Sequence, residues 1–216
     1  MPLHELDFLL SIGYFRMQQD VFTCRYVQFD GAIHPVYWLR IVLSVVNFGP
    51  KQSRLFRINA PYTVTVRPFV LTDEVEMLYA QYRSNINFDT YSTVESCLWN
   101  GADTSKFDTY NVQIRDDGKL IAVGIFDNAG QSIAGIMNFY DPDYHRQSLG
   151  KYLMLLKTEY ARQRGLAYYY PGYIVGNYPK FDFKLFTCEA ATEVFDEPCV
   201  RWLPFSWETV KVLEND

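Results

Sequence analysis

Acidic residues are missing from a long stretch of this chain. Between Gly31 and Val70 there is no Asp or Glu, while Arg40, Lys51, Arg54, Arg57 and Arg67 all fall inside it. The chain as a whole is mildly acidic, with a formal net charge of -5, which excludes a surface that traps polyanions everywhere and leaves nucleic acid as a localised partner. Cysteine is sparse: Cys24, Cys97, Cys188 and Cys199 form no CxxC pair and have no His at ligand spacing, so no metal site is expected and free thiols are. Long apolar runs are absent too. Ile41 to Val46, for example, is interrupted by Ser44 and falls far short of a bilayer span. Met1 to Ser11 carries His4, Glu5 and Asp7 where a signal peptide would have a basic start and an apolar core. A cytoplasmic protein with no membrane partner is expected.

No repeat, low-complexity tract or Pro/Gly/Ser linker divides the chain. Its 216 residues, 49% hydrophobic and 21% charged, suffice for a sizeable core in one large domain or two small packed ones. Aromatics are the excess, at 17%, and they combine large burial with polar edges suited to pockets. The change of character near residue 70 suggests a basic, β-rich subdomain over residues 1–70 and a second unit over 71–216. Trp38 to Phe48 and Tyr62 to Val66 read as strands. Thr72 caps a helix beginning at Asp73, with Val75, Leu78, Tyr79 and Tyr82 on one face; a shorter helix fits Ser92 to Trp99. Tyr110 to Arg115, Asp116-Asp117-Gly118 and Lys119 to Phe126 read as a hairpin, and Gln131 to Tyr140 adds a third antiparallel strand. Ser148 is placed to cap a helix from Leu149 to Arg164, closed by Gly165, with Leu149, Tyr152, Leu153, Leu156 and Tyr160 on its apolar face. Leu166 to Tyr170 returns as a strand. Three strands, a helix and a strand are the order used by GNAT-type acyltransferases: an α/β (α+β) fold whose mixed, mostly antiparallel sheet is flanked by helices.

Two constellations carry chemistry. The turn His145-Arg146-Gln147-Ser148-Leu149-Gly150 opens the long helix, where free N–H groups and the positive dipole end attract anions; Ser148 equally fits a plain capping role. GNAT enzymes hold coenzyme A with a glycine-rich turn here, of which only Gly150 remains. The second is Tyr168-Tyr169-Tyr170-Pro171-Gly172-Tyr173 followed by Pro179-Lys180-Phe181-Asp182-Phe183-Lys184. On a strand, Tyr168 and Tyr170 share one face while Tyr169 packs behind, and Lys180 and Lys184 follow a Gly- and Pro-punctuated loop, where function concentrates. Asp141, Asp143 and His145 are candidate bases, though turn and capping roles explain each.

Tyr140-Asp141-Pro142-Asp143, Ser148-Leu149-Gly150, Tyr168-Tyr169-Tyr170-Pro171-Gly172-Tyr173 and Lys180-Phe181-Asp182-Phe183-Lys184 together resemble the C-terminal domain of the aminoacyl-tRNA-protein transferases, the arginyl- and leucyl-transferring enzymes of the N-degron pathway. Gly13-Tyr14-Phe15-Arg16 and the run from Phe48 through Arg54 to Arg57-Ile58-Asn59 resemble the family's upstream elements. Departures are visible. Thr23 to Tyr37 holds only Cys24 where the family carries a cysteine cluster implicated in metal or iron-sulfur binding, Leu55 stands where a second arginine follows the first, and no cysteine lies near Asn177.

The resemblance implies transfer of Arg or Leu from charged tRNA to the α-amine of an acceptor protein with an acidic N-terminus, with no cofactor and no metal. It implies Tyr168, Tyr170, Lys180 and Arg146 at the reacting ends, with the tyrosines as walls for the terminal adenosine. Ser148, Gly150, Lys184, Lys51, Arg54 and Arg57 would serve substrate and tRNA binding, although the last three also fit a solvated edge. Two other readings remain open: a GNAT-type acyltransferase using acetyl-coenzyme A, and an inactive binding module on the same fold.

Overall fold

The computed structural model describes residues 1–214. In chain order the helices are α1 (Leu3–Ser11), α2 (Pro50–Asn59), α3 (Asp73–Ser84), α4 (Val94–Leu98), α5 (Leu149–Gln163) and α6 (Trp207–Leu213). The strands are β1 (Phe15–Met17), β2 (Asp20–Phe22), β3 (Tyr26–Phe29), β4 (Ala32–Val42), β5 (Thr63–Pro68), β6 (Asp108–Asp116), β7 (Lys119–Asn128), β8 (Ser132–Tyr140), β9 (Tyr168–Val175), β10 (Thr192–Asp196) and β11 (Arg201–Pro204). Short 3-10 segments span Leu43–Val45, Pro142–Gln147, Pro179–Phe186 and Glu189–Ala191.

One sheet runs β11-β10-β4-β9-β8-β7-β6-β5, with β3 paired to β4. Every neighbouring pair is antiparallel except β8 and β9. The β6–β7 hairpin turns at Asp117 and Gly118, both at positive φ, as the Asp-Gly pair requires. Strands from before and after residue 70 share this sheet, because β4 lies between β10 and β9 and β5 closes the far edge. The architecture is the mixed, mostly antiparallel sheet with flanking helices that the strand, strand, strand, helix, strand order implies.

Side-chain alternation along β7 sorts the core. Val123 and Ile125 pack with Val75, Leu78 and Tyr79 of α3 and with Val94 and Leu98 of α4, whereas Ala122 and Phe126 pack with Leu149, Tyr152 and Leu153 of α5 and with Leu55 of α2. The helices thus cover both faces, and burial of these apolar chains at roughly 25 cal/mol per Å² drives the assembly. α3 begins where Thr72 Oγ1 accepts from the Val75 N–H at 3.3 Å. A Thr93/Ser96 capping box starts α4.

Four sequence expectations are corrected. Trp38 to Phe48 is not one strand: β4 starts earlier, at Ala32, and ends at Val42. The Lys51 to Arg57 stretch, expected within a strand framework, is helix α2, because Gly49-Pro50 supplies a helix start and Gln, Arg and Leu are good helix formers. The strand expected to end at Tyr170 continues through Pro171 and Gly172 to Val175, since β4 pairs with it as far as Val36↔Val175. Ser148 occupies the first position before α5 but is left-handed (φ 50°), and its side chain makes no capping bond.

The first face of the sheet also holds a fully buried ion pair. Arg16 Nη1 donates to Asp127 Oδ1 at 2.8 Å and to Thr109 Oγ1 at 2.9 Å, Nη2 to the Leu98 carbonyl at 2.7 Å, and Nε to the Gln18 carbonyl at 2.6 Å. The two side chains are 1% and 0% exposed. Arg16 therefore ties the β1–β2 ribbon to β6, β7 and α4. Asp127→Ala would leave the guanidinium buried without its carboxylate, and a loss of about 3–5 kcal/mol is expected. Urea unfolding checks it, and a loss below about 1 kcal/mol would show the pair to be marginal.

Candidate active site

β8 and β9 pair over only Ser132↔Tyr168, Ile133↔Tyr169 and Ala134↔Tyr170. Beyond that point the strands part. Pro171, next along β9, has no N–H to offer a ladder, and β8 carries a bulge at Ile136, between its partners for Ile125 and Phe126. The gap between them is a cavity of about 690 Å³.

Gly135, Met137, Asn138 and Tyr140 of β8 form one wall of the cavity, and Tyr169, Pro171 and Tyr173 of β9 another. Tyr79 and Tyr82 of α3 contribute from the first face. The start of α5, with Ser148, Gly150 and Lys151, opens at its rim, and Met154 and Lys157, further along α5, lie deeper. Lys180, Phe181, Phe183 and Lys184 close the opposite side.

Lys184 is partly buried in an aromatic cage. Its Nζ lies 4.6 Å from the Phe181 ring centroid, 4.9 Å from Phe183 and 5.5 Å from Tyr173, a setting that favours a cation through the ring quadrupoles. Burial nonetheless pushes its pKa down to about 7, against the pull of nearby Asp182. Gly172 lies against it, its place fixed by a backbone at φ +97° that disfavours a side chain; a Cβ there would stand in ordinary contact, 3.4 Å, with Lys184 Cε. The Asp182 carboxyl is raised by burial, with Lys184 opposing, and its Oδ1 is buried with no partner. Lys180 is exposed, with Nζ 4.5 Å from the Phe88 ring and donating to Asn87 Oδ1 at 3.3 Å.

Lys157 is the residue that sequence reasoning passed over. It is 1% exposed, lies within α5, and donates from Nζ to the Ile125 carbonyl at 2.7 Å and the Met137 carbonyl at 3.4 Å. Burial pushes its pKa down to about 7, only partly opposed by Asp127. The one signal in the sequence is its place in the helical pattern: Lys157 follows Leu149 and Leu153 at steps of four, so it falls on the buried face, while Leu156 and Tyr160 are only partly buried.

The structure thus brings Ser148, Gly150, Lys180 and Lys184 to one cavity. Tyr168 and Tyr170 are not among its walls, because alternation along β9 turns them to the other face and presents Tyr169 instead. Tyr170 packs in the cluster of Phe15, Trp38 and α1, and Tyr168 lies under Arg40, whose guanidinium carbon is 4.1 Å from the ring centroid and which pairs with Glu193 at 2.6 Å. Arg146 is exposed in the Pro142–Gln147 turn, away from the cavity lining. Lys51, Arg54 and Arg57 are exposed along α2. That helix is fastened beside the start of α5 by buried Asn59, whose Nδ2 donates to the Gln147 carbonyl at 3.1 Å.

Asp141 is a hub and a poor base. It is fully buried and accepts from Lys119 Nζ at 2.6 Å, Gln81 Nε2 at 2.9 Å and the Asp143 N–H at 3.0 Å. Burial alone would raise its pKa, but these donors outweigh it and hold the carboxyl below its ordinary value. It thereby joins α3, β7 and the turn that precedes α5. His145 sits exposed at the rim, its Nδ1 3.3 Å from the Pro142 carbonyl. Among the described residues no group of three His, Cys, Asp or Glu side chains could hold a metal, and Cys24, with no second cysteine near it in sequence, does not fit a cluster. No helix among them is long and apolar enough to cross a membrane.

Residues 74–187, just over half of the chain, match the family described as "Arginine-tRNA-protein transferase, C terminus". Curated relatives include the aspartate/glutamate leucyltransferase of Leptospira interrogans, 29% identical over 145 residues, which cover 63% of this chain and 56% of that protein. The aspartate/glutamate leucyltransferase of Stutzerimonas stutzeri is 31% identical over 152 residues, covering 67% of this chain and 63% of that protein. The match thus spans less than two thirds of either relative. The crystal structure of FemX, 11% identical, superposes with a TM-score of 0.48 over 88% of this chain and 65% of that one.

Lys157 makes a signed prediction about stability. Its folded pKa is depressed, so between pH 7 and 10 the unfolded chain binds the extra proton and stability rises with pH. Below about pH 7 the folded state must carry a buried ammonium, and that cost is constant. Lys157→Met removes this contribution, so the difference in unfolding free energy between variant and parent should be largest at pH 6 and shrink toward pH 10. Parallel denaturant titrations across this range check it, and a pH-independent difference would contradict it.

Proposed function

The chain belongs to the arginine-tRNA-protein transferase family through its match to the family's C-terminal region, and from that premise we propose that it is an aminoacyltransferase: it moves an amino acid from the 3′ ester of a charged tRNA to the α-amine of an acceptor protein. The observation that carries this reading is the gap between β8 and β9, where Ser148, Gly150, Lys180 and Lys184 line one cavity. The relatives, aspartate/glutamate leucyltransferases, support leucine as the transferred group and an N-terminal Asp or Glu on the acceptor.

Three demands of that reaction find candidate groups. The tRNA end brings phosphates. The start of α5, with no acidic residue in its first turn, offers N–H groups and a positive dipole end at the cavity rim, and Lys51, Arg54 and Arg57 of the adjoining α2 offer a cationic track for the acceptor stem. The terminal adenosine needs a stacking surface, for which the half-buried Tyr173 and Phe181 are available. The acidic side chain of the acceptor needs a cation held away from bulk water, and Lys184 in its ring cage, with Lys180 at the entrance, suits that role. The aminoacyl ester is already activated, so no cofactor enters the scheme, and charged tRNA as donor assigns the reaction to the cytoplasm.

The test is transfer of radiolabelled leucine, and separately arginine, from charged tRNA to peptides beginning with Asp, Glu or Ala. Transfer confined to the acidic peptides is expected. Lys184→Met should raise KM for a Glu-initiated peptide about tenfold or more, the worth of one charge-assisted bond, and leave tRNA binding unchanged. Arg54→Ala with Arg57→Ala should weaken tRNA binding and lower the slope of log K against log salt by up to about 2. No transfer to any peptide, with tRNA affinity unchanged in the double variant, would refute the proposal.

A further inference from the structure

Resting on that reading, we propose that Lys157 is the base that removes the proton from the acceptor's α-ammonium group. The transferase reaction cannot begin without such a step, because a protonated amine has no lone pair for the ester carbonyl.

Lys157 Nζ is anchored on two backbone carbonyls, those of Ile125 and Met137. An uncharged amine donates two hydrogens and keeps one lone pair. With both hydrogens given to those carbonyls, the lone pair is what remains, and the side chain borders the cavity. No carboxylate bonds to Nζ: Asp127, the acid that acts on it through space, is engaged by Arg16 and Thr109. The space is cleared by Gly124 of β7, where a Cβ would stand 2.9 Å from Lys157 Cε and 2.9 Å from Asn138 Oδ1. A lysine so held, buried and without a counter-ion, is costly, and the cost has a use if the amine must be neutral near physiological pH.

The neighbouring ionisable groups serve less well. Asp141 is held ionised by Lys119 and its other donors. Lys184 is enclosed by three rings, and Tyr82 and Tyr169 are pushed up by burial. Burial, opposed by Asp127 from β7, sets the titration of Lys157; titratable groups bordering the same cavity include Tyr82 from α3, Tyr140 from β8, Tyr169 from β9 and Lys184 from the Pro179–Phe186 segment. Its pKa of about 7 lies close to the ~7.7–8.0 of an α-amine, near the match that makes proton transfer efficient.

The step balances. The α-ammonium gives one proton to the Lys157 lone pair and becomes a neutral amine. That amine attacks the ester carbonyl carbon, and the new C–N bond forms as the carbonyl π pair moves to oxygen. Collapse breaks the bond to the ribose oxygen, which leaves with the second proton of the attacking nitrogen. Lys157 then returns its proton to solvent.

Single-turnover transfer from leucyl-tRNA to a Glu-initiated peptide, followed against pH, tests the assignment in the wild-type protein and in Lys157→Gln and Lys157→Arg. The wild-type rate should rise through about pH 7, and both variants should lose about 10²- to 10⁴-fold in kcat with KM for the peptide and the tRNA unchanged and the inflection gone. A variant that keeps the inflection, or loses only acceptor KM, overturns the base and leaves an anchoring cation. Circular dichroism melting, with Lys157→Met as an isosteric control, separates misfolding from lost chemistry. A second readout does not need turnover: the Cε resonance of Lys157, assigned by its absence in Lys157→Met, should titrate near pH 7 and move on addition of a non-hydrolysable leucyl-adenosine analogue. Titration at the ordinary lysine value of ~10.4 overturns the proposal. A wild-type protein inactive on every acceptor removes the transferase reading itself, and the base with it.

Discussion

A parallel strand pair that stops after three rungs is the constraint from which the site follows. β8 and β9 are joined at Ser132↔Tyr168, Ile133↔Tyr169 and Ala134↔Tyr170, and further pairing would fill the gap with backbone. Pro171 supplies no hydrogen, and the Ile136 bulge spends an extra residue on β8, so the strands diverge there. Polar groups of a strand that loses its neighbour must find other partners. At the bulge itself, Lys157 reaches from α5 to the Ile125 carbonyl at 2.7 Å and the Met137 carbonyl at 3.4 Å. Ile125 and Met137 are partners at the rung where the bulge falls, so the irregularity in β8 and the anchoring of the buried amine meet at one place.

The molecule treats its buried cations in two ways. Arg16, on one face of the sheet, has a carboxylate, a hydroxyl and two carbonyls as acceptors, and a planar fork of donors suits such saturation. Lys157 and Lys184, which border the cavity, touch carbonyls in one case and aromatic rings in the other, with Asp127 and Asp182 acting on them only through space. Burial depresses the pKa of both to about 7. A saturated cation holds a structure together, while an under-partnered one has attraction or a lone pair left for something that arrives. That division follows the geography of the fold, since the saturated pair ties peripheral elements down and the unsaturated amines border open space.

The legibility of this chain varied with the range of the interaction. Local signals were readable: the Asp117-Gly118 turn, the Thr72 cap and the extent of α5 all follow from rules acting within a few residues. So was the gathering of Ser148, Gly150, Lys180 and Lys184, which came from motif resemblance. That Tyr168 and Tyr170 lie outside this cavity is a matter of parity. Period-two alternation separates Tyr169 from its two neighbours, but nothing in Tyr-Tyr-Tyr says which face is the cavity, and the answer depends on which neighbour β9 leaves unpaired. α2 is masked in the sequence by its lack of acidic residues, its Arg content and its Val-rich neighbours, and Gly49-Pro50 is the structural signal for it. Lys157 was missed for a different reason: lysine is almost never fully buried, so a lysine on an apolar helix face is discounted by default. Such a discount fails where function is concentrated, because a buried, poorly paired ionisable group is what an acid-base site needs.

The character of the cavity bears on how an ester could survive in it. Aminoacyl esters are lost to water, so a site that uses one must bring the amine close while keeping water from the same carbonyl. The walls at this gap are largely aromatic and aliphatic, with Tyr79, Tyr82, Tyr169, Tyr173, Met154 and Phe181 around the amines. A carboxylate base in such surroundings would tend to stay protonated, because burial raises carboxyl pKa values, as it does for Asp182 here. The same burial lowers an amine's pKa and so produces the unprotonated form near neutrality. Apolar walls and a lysine base are thus mutually consistent, since surroundings that would protect an ester would also ready a lysine to deprotonate its attacker.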